Sequence, residues 1–249
     1  MALRGSDTKA SFYGRPAAFS AVRMIAAMML TSTLLPTAAT AQVGEPNREI
    51  KDGRERGALA DIAMAHELYD YAASLRDAYG MAAAARVLST VSGRASTRAP
   101  AIETLPGRDP MPGGNAAPEP VTGLAVMIQE ATLAAAGTVP SAVLDAGSGG
   151  DRPQIAAEQI DGVIAAGQRH RYSDILFEPR ALAEVLVIAG ADANLDLQVI
   201  DNQGLPICED TATGATSYCA FTPRRIGVFT VILSNNGFTP SAYQLWLRR

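Results

Sequence analysis

Apolar and polar positions change rhythm along the chain. From Ala58 to about Val91, Leu68, Ala72, Leu75, Tyr79 and Ala82 recur at spacings of three and four, placing them on one helical face. The residues between them are rich in Ala and other good helix formers. Gly80 interrupts the run, so the pattern predicts two helices, about 58–78 and 81–92, stopped by Ser92-Gly93. A third helix is predicted over Thr122–Ala136, where Leu124, Met127, Ile128, Ala131 and Ala135 form a stripe and Gly137 ends it. Between them, Pro100, Pro106, Pro110, Pro112, Pro118 and Pro120 withdraw backbone donors. The stretch from about Ser92 to Val121 therefore reads as a flexible or polyproline connector with no regular element. Gly147-Ser-Gly-Gly150 marks a boundary.

The last hundred residues switch to short β-branched and apolar stretches separated by turn signals, the pattern of an all-β sandwich. Predicted strands are Arg169–Phe177, Ala183–Ala189, Leu195–Asp201, Leu205–Cys208, Ser217–Thr222, Val228–Ser234 and Ala242–Leu247. Leu195, Leu197 and Val199 alternate with Asp196 and Gln198, giving one buried and one wet face. Phe229, Val231 and Leu233 repeat this pattern, as do Tyr243, Leu245 and Leu247. Asp201-Asn-Gln-Gly204 and Asn235-Asn-Gly237 read as hairpin turns. The fold class is α+β: a small α-helical N-terminal region, then a C-terminal antiparallel β-sandwich, jelly-roll or immunoglobulin-like, of about seven strands. The expected organisation is a signal peptide over 1–41, a helical region over 42–99 and a Pro-rich linker over 100–121. A third helix and connector follow over 122–150, and the sandwich occupies 151–249.

The first 41 residues change how the rest is read. Arg4, Lys9, Arg15 and Arg23 stand against a single Asp7, and a twelve-residue apolar run, Met24–Leu35, follows. A bilayer span needs about 20 residues. Pro36 breaks the run, and Ala39-Thr40-Ala41 offers the small-x-small pattern of a signal peptidase site. Cleavage is expected after Ala41, with a retained short membrane anchor as the alternative. The expected location is the periplasm or the external medium, with no stable membrane span after cleavage. Cleavage would leave 17 cations against 24 anions, a net charge of −7. That balance disfavours nucleic acid or anionic lipid as a partner. The whole chain is 48% hydrophobic and only 18% charged, which excludes a highly charged disordered chain or coiled coil.

The strand Val185–Ala189, followed by Gly190-Ala-Asp-Ala-Asn-Leu-Asp-Leu-Gln-Val-Ile-Asp201, resembles the "GDGDTDLDLYVYD"-like stretch of bacterial pre-peptidase C-terminal domains. Phe221-Thr-Pro-Arg-Arg-Ile-Gly-Val-Phe-Thr-Val231 is similar to that family's "W/FxPxxxGxYxI" segment, and Asn235-Asn-Gly237 and Tyr243-Gln-Leu245 follow in its order. The resemblance covers about residues 160–247. It implies a small sandwich of the kind attached to secreted peptidases, some of which bind calcium or polymers such as collagen. No peptidase signature accompanies it. His66-Glu67 is followed by Leu-Tyr-Asp rather than the x-x-His of a zinc protease, and the chain holds no Gly-x-Ser-x-Gly elbow.

Candidate chemistry is sparse. Asp192, Asn194 and Asp196 alternate before and into a strand, offering oxygen ligands of the type calcium takes. Three local side chains fall short of the about 6–8 oxygens that calcium gathers. The plainer reading makes Asp192 and Asn194 turn formers and Asp196 a wet carboxylate. No other cofactor is implied. Cys208 and Cys219, in an oxidising compartment, are expected to form a disulfide closing a polar loop, worth about 3 kcal/mol by loop entropy. His66 and His170 read as ordinary helix and strand side chains. Trp246 has the parity opposite to Tyr243 and the core leucines, so it is expected to point outward. With Phe238, it makes an expected aromatic binding surface. Arg169 and Arg171 offer contacts for an acidic partner. The expected function is that of a non-catalytic exported binding protein whose sandwich contacts a protein or polysaccharide. The alternative is an accessory or inhibitory partner of a separately encoded secreted peptidase or hydrolase. An uncharacterised hydrolase would need a constellation that no motif supplies.

Overall fold

Helix α1 (Ala58–Leu75) ends where Arg76 turns left-handed, at φ 57°, and Asp77 N–H bonds back to Ala72 O at 2.8 Å. Asp77 then caps helix α2 (Ala78–Leu88), its carboxylate accepting from Tyr79 N–H at 3.1 Å. A computed structural model describes residues 44–49, 56–107, 117–118, 120–136, 155–190 and 193–249. The expected export segment, its cleavage point and the Gly147–Gly150 boundary lie outside them. The helix break therefore sits at Arg76-Asp77 rather than at Gly80. Gly80 lies inside α2, where a Cβ would come within 2.8 Å of Ala72 Cβ. It is there to let the two helices approach. Helix α3 (Leu124–Ala135) buries Met127, Ala131 and Ala135, the stripe the periodicity predicts.

The apolar face of α1 is the main correction in this region. Ala72 and Ala82 are buried as expected, but Leu68, Leu75 and Tyr79 are 41%, 60% and 54% exposed. The buried face carries Leu59, Ile62, Ala65 and Tyr69 instead. Its residues pack on α2 and on the sheet beneath.

The strands are β1 (Val91–Ala95), β2 (Ala101–Thr104), β3 (Ile155–Ile164), β4 (Gln168–Leu176), β5 (Ala183–Ala189), β6 (Leu195–Asp201), β7 (Pro206–Asp210), β8 (Thr216–Phe221), β9 (Val228–Asn235) and β10 (Ser241–Arg248). They form two five-stranded sheets, ordered β1-β3-β10-β5-β8 and β2-β4-β9-β6-β7. Every pairing is antiparallel except β1 with β3. The α+β class and the sandwich are as predicted, with ten strands among the described residues rather than about seven. Each of the seven predicted strands appears within two residues of its expected ends.

The three additional strands are β1, β2 and β3. Ser92-Gly93 does not stop a helix but lies in β1, and Ala101–Thr104 emerges from the stretch expected to hold no regular element. Both are edge strands, one on each sheet, and of their nine residues only Val91 is buried. Nothing in such side chains marks a strand; the backbone of β3 and β4 recruits them. Arg98 fixes the crossing between them, donating to Ser173 O at 3.1 Å and pairing with Glu158 at 3.5 Å.

Two cores result. Between the sheets, Phe177, Phe221 and Phe229 pack ring against ring, with centroids 5.2–5.6 Å apart, among inward-facing aliphatic residues of both sheets. On the other side of the first sheet, Leu186, Ile188 and Trp246 meet Leu59, Ile62 and Met127 of the helices. The described part of the unit Val43–Arg249 is thus three layers: helices, first sheet, second sheet.

Candidate functional site

Cys208 on β7 and Cys219 on β8 form the expected disulfide, with their Cα atoms 6.1 Å apart. It ties one sheet to the other and uses both cysteines of the chain. Beside it opens a groove of about 970 Å³, walled by Ala60, Ala63, Met64 and Glu67 of α1 and by residues of the 208–221 segment that crosses from β7 to β8. Its polar lining is largely engaged. Glu67 accepts from Thr216 Oγ1 at 2.6 Å, Asp210 accepts from Tyr218 N–H at 2.8 Å, and Arg48 donates to Ile207 O at 2.6 Å.

At the helix–sheet seam sits a residue that sequence reasoning missed. Glu184 is completely buried on the helix-facing side of β5. Its carboxylate accepts from Leu59 N–H at 2.9 Å, Tyr218 Oη at 2.8 Å and Arg248 at 2.5 Å. Gly57, the N-cap of α1, has no side chain to supply a cap, so Glu184 acts as a cap from another element. A Cβ at Gly57 would meet that carboxylate at 2.3 Å. Burial, then the neighbouring Glu184 carboxylate, pushes the Tyr218 phenol well above its usual range. The available signal was a lone Glu opening an otherwise apolar strand.

His170 is not a surface strand residue. It points between the sheets, 3% exposed, with Nδ1 2.8 Å from Tyr243 Oη; that hydroxyl lies 2.5 Å from Tyr172 Oη. Burial holds the imidazole below its ordinary range and raises both phenols. Its Nε2 has no partner among the described residues. His66 is likewise buried; its Nδ1 lies 3.3 Å from Asp70 but is too poorly aligned for a hydrogen bond.

The expected aromatic surface does not form. Trp246 has the predicted parity, facing away from Tyr243 and Leu245, but it is 2% exposed because the helical layer covers that side. Phe238 is 57% exposed in the β9–β10 turn, apart from Trp246. Asp192 lies outside the described residues. Asn194 O accepts from Asn236 N–H at 2.9 Å, and Asp196 accepts from the Asn236 side chain. Both oxygens therefore bind the turn between β9 and β10. Among the described residues no group of three or more His, Cys, Asp or Glu side chains is placed to hold a metal.

Arg169 and Arg171 lie on the outer face of the second sheet. Arg171 pairs with Glu103 at 3.3 Å, and Arg169 reaches Glu103 at 3.9 Å and Ser234 Oγ at 3.1 Å. The register sets two rows across this face: Glu103, Arg169, Ser234, Asp196, and then Ala101, Arg171, Ile232, Gln198, Glu209. Ile232 is nearly buried there, set in the register between the long side chains of Arg171 and Gln198. No described helix packs on this sheet; α1 packs on β5 and β8 of the other.

No family model and no curated protein matches the chain. Among solved structures, it is similar to the mitogen derived from Yersinia pseudotuberculosis, at 14% identity over 37% of this chain and 84% of that one, with a TM-score of 0.29. Similar coverage, 37% and 84%, at 14% identity and a TM-score of 0.28, relates it to PliG of Aeromonas hydrophila, a periplasmic inhibitor of g-type lysozyme. The carbohydrate-binding module CBM36, solved with calcium and xylotriose, matches at 13% identity over 34% of this chain and 76% of that one, with a TM-score of 0.25. No described helix is long and apolar enough to cross a membrane.

Proposed function

We propose that this is an exported, non-catalytic binding protein, built on a sandwich like a pre-peptidase C-terminal domain, that contacts a protein or polysaccharide through the outer face of its second sheet. One observation carries this reading. The chain's own helices cover the first sheet, while the second presents ordered rows of guanidinium, amide, hydroxyl and carboxylate groups with no described element over them. Planar guanidinium forks beside Gln198 and Ser234 suit a surface bearing carboxylates or hydroxyls. Further support for a non-catalytic role is that both cysteines are consumed in a disulfide and His170 is enclosed between the sheets. The four segments that resemble the family fall on β5–β6, β8–β9, the β9–β10 turn and β10.

The test is retention on immobilised cell-envelope proteins and polysaccharides, comparing the unaltered protein with Arg169→Ala/Arg171→Ala. Binding is expected to weaken by about tenfold or more in the double variant. Undiminished retention would remove the second sheet from the binding surface.

A further inference from the structure

The chain holds one Asn-Gly pair, Asn236-Gly237, in the turn between β9 and β10. Its chemistry is intramolecular. Once the Gly237 amide gives up its proton, its nitrogen can attack Cγ of the Asn236 side chain. A C–N bond forms, the Asn236 Cγ–Nδ2 bond breaks, and ammonia leaves as a succinimide ring closes. Water then opens the ring at either carbonyl, leaving aspartate or isoaspartate at position 236. Glycine, with no Cβ, does not crowd the ring. Both residues are half-buried rather than enclosed, so water reaches them.

We propose that Asn236 is a deamidation site that the fold holds shut through two contacts, one on each reacting group. Asn235 holds the nucleophile. Its side chain is 1% exposed, donates to Ile164 O at 3.2 Å and Thr239 O at 2.9 Å, and accepts from Gly237 N–H at 2.8 Å. The proton that must leave is thus kept in a hydrogen bond, on a nitrogen whose direction Asn235 sets. Asp196 holds the electrophile. Its carboxylate accepts from Asn236 Nδ2 and keeps the amide toward β6, while Asn236 N–H donates to Asn194 O at 2.9 Å. Attack needs Cγ to swing over Gly237 N, out of the position that this contact fixes. The product does not return to that position, because it sets a second carboxylate against Asp196 where a donor stood. The added charge falls at the end of the row Glu103, Arg169, Ser234, Asp196.

The test is incubation of the purified full chain in mildly alkaline buffer, with peptide mapping to read acid at position 236 and near-ultraviolet circular dichroism to verify folding. Conversion in the folded protein is expected to be at least about tenfold slower than in the same chain unfolded in guanidinium, the factor that one charge-assisted hydrogen bond makes in a rate. Asp196→Ala, on the uncovered sheet, should convert about tenfold faster than the unaltered folded protein. Asp196→Asn keeps an acceptor for Asn236 Nδ2 and should stay slow. Asn236→Gln, whose longer side chain disfavours the ring, should not convert in either state. Equal rates in the folded and unfolded chain would overturn the proposal, and that comparison stands whether or not Asp196→Ala folds. So would a folded Asp196→Ala that converts no faster, or an Asp196→Asn as fast as Asp196→Ala.

Discussion

Strands β5 and β6 occupy the same place in the two sheets and read differently. β5, Ala-Glu-Val-Leu-Val-Ile-Ala, is buried at every residue; β6, Leu-Asp-Leu-Gln-Val-Ile-Asp, alternates buried and half-exposed. The difference follows from what lies outside each sheet. Leu186 and Ile188 turn away from the sandwich core only to meet the helices, whereas Asp196 and Gln198 turn toward an uncovered face. A continuous apolar run therefore signalled a third layer, and strict alternation signalled its absence. The proposed partner surface is placed on the alternating sheet for this reason, since the other uses its outer face to hold the helices.

The most damaging way to break the covered side is Glu184→Ala. It leaves Leu59 N–H and Tyr218 Oη without their buried acceptor, each loss worth about 1–3 kcal/mol, while Arg248, a third exposed, can turn to water. Urea unfolding of the variant should show that loss, and a change below about 1 kcal/mol would mean the seam tolerates water. Trp246→Ala is expected to cost about 3–5 kcal/mol through the cavity it leaves between sheet and helices. Trp246→Phe should cost less, since Trp246 Nε1 has no partner to lose among the described residues. Phe238→Ala, in the exposed turn, should stay within about 0.5 kcal/mol. Thermal midpoints for the three variants would order them, and equal costs for Trp246→Ala and Phe238→Ala would contradict the covered face.

Trp246 also shows what the sequence could and could not say. Its parity was legible, because Tyr243, Leu245 and Leu247 fix the inward phase of β10. What waited beyond the sheet was not, since a second layer is decided by contacts far apart along the chain. The same limit explains α1. Two apolar faces share this helix, so Leu68 and Leu75 offered a pattern of their own while Leu59, Ile62 and Tyr69, with Ala60, Ala63, Ala65 and Ala72, did the packing. The disulfide was legible from the expected export to an oxidising compartment. Edge strands β1 and β2 were not, because their residues are recruited by the backbones of β3 and β4 rather than by their own burial.

Intermediate effects lie at the joints between the sheets. Cys208→Ser/Cys219→Ser is expected to cost about 2–4 kcal/mol, readable as a drop in denaturation midpoint that matches reduction of the unaltered protein. His170 gives the two-sheet interior a pH signature. Its folded imidazole is held below the ordinary 6.5 by burial, so as pH falls through 6.5 the unfolded chain takes up a proton that the folded one refuses. Stability is therefore full above this window and declines as the pH drops below it. His170→Gln keeps a hydrogen-bonding group toward Tyr243 without titrating, so it should flatten this part of the stability–pH curve. An unchanged slope would place the titration elsewhere.

The smallest stability effect is expected on the open sheet, and its smallness is what makes it informative. Arg171 and Glu103 are each about a third to a half exposed, so their pairing at 3.3 Å is worth about 0–1 kcal/mol. Arg169→Ala/Arg171→Ala should accordingly shift the urea midpoint little. Binding and stability are thus expected to part company here: retention on the partner falls while the unfolding curve stays in place. A double variant that loses stability and binding together would make the second sheet as structural as the first and erase the contrast between β5 and β6.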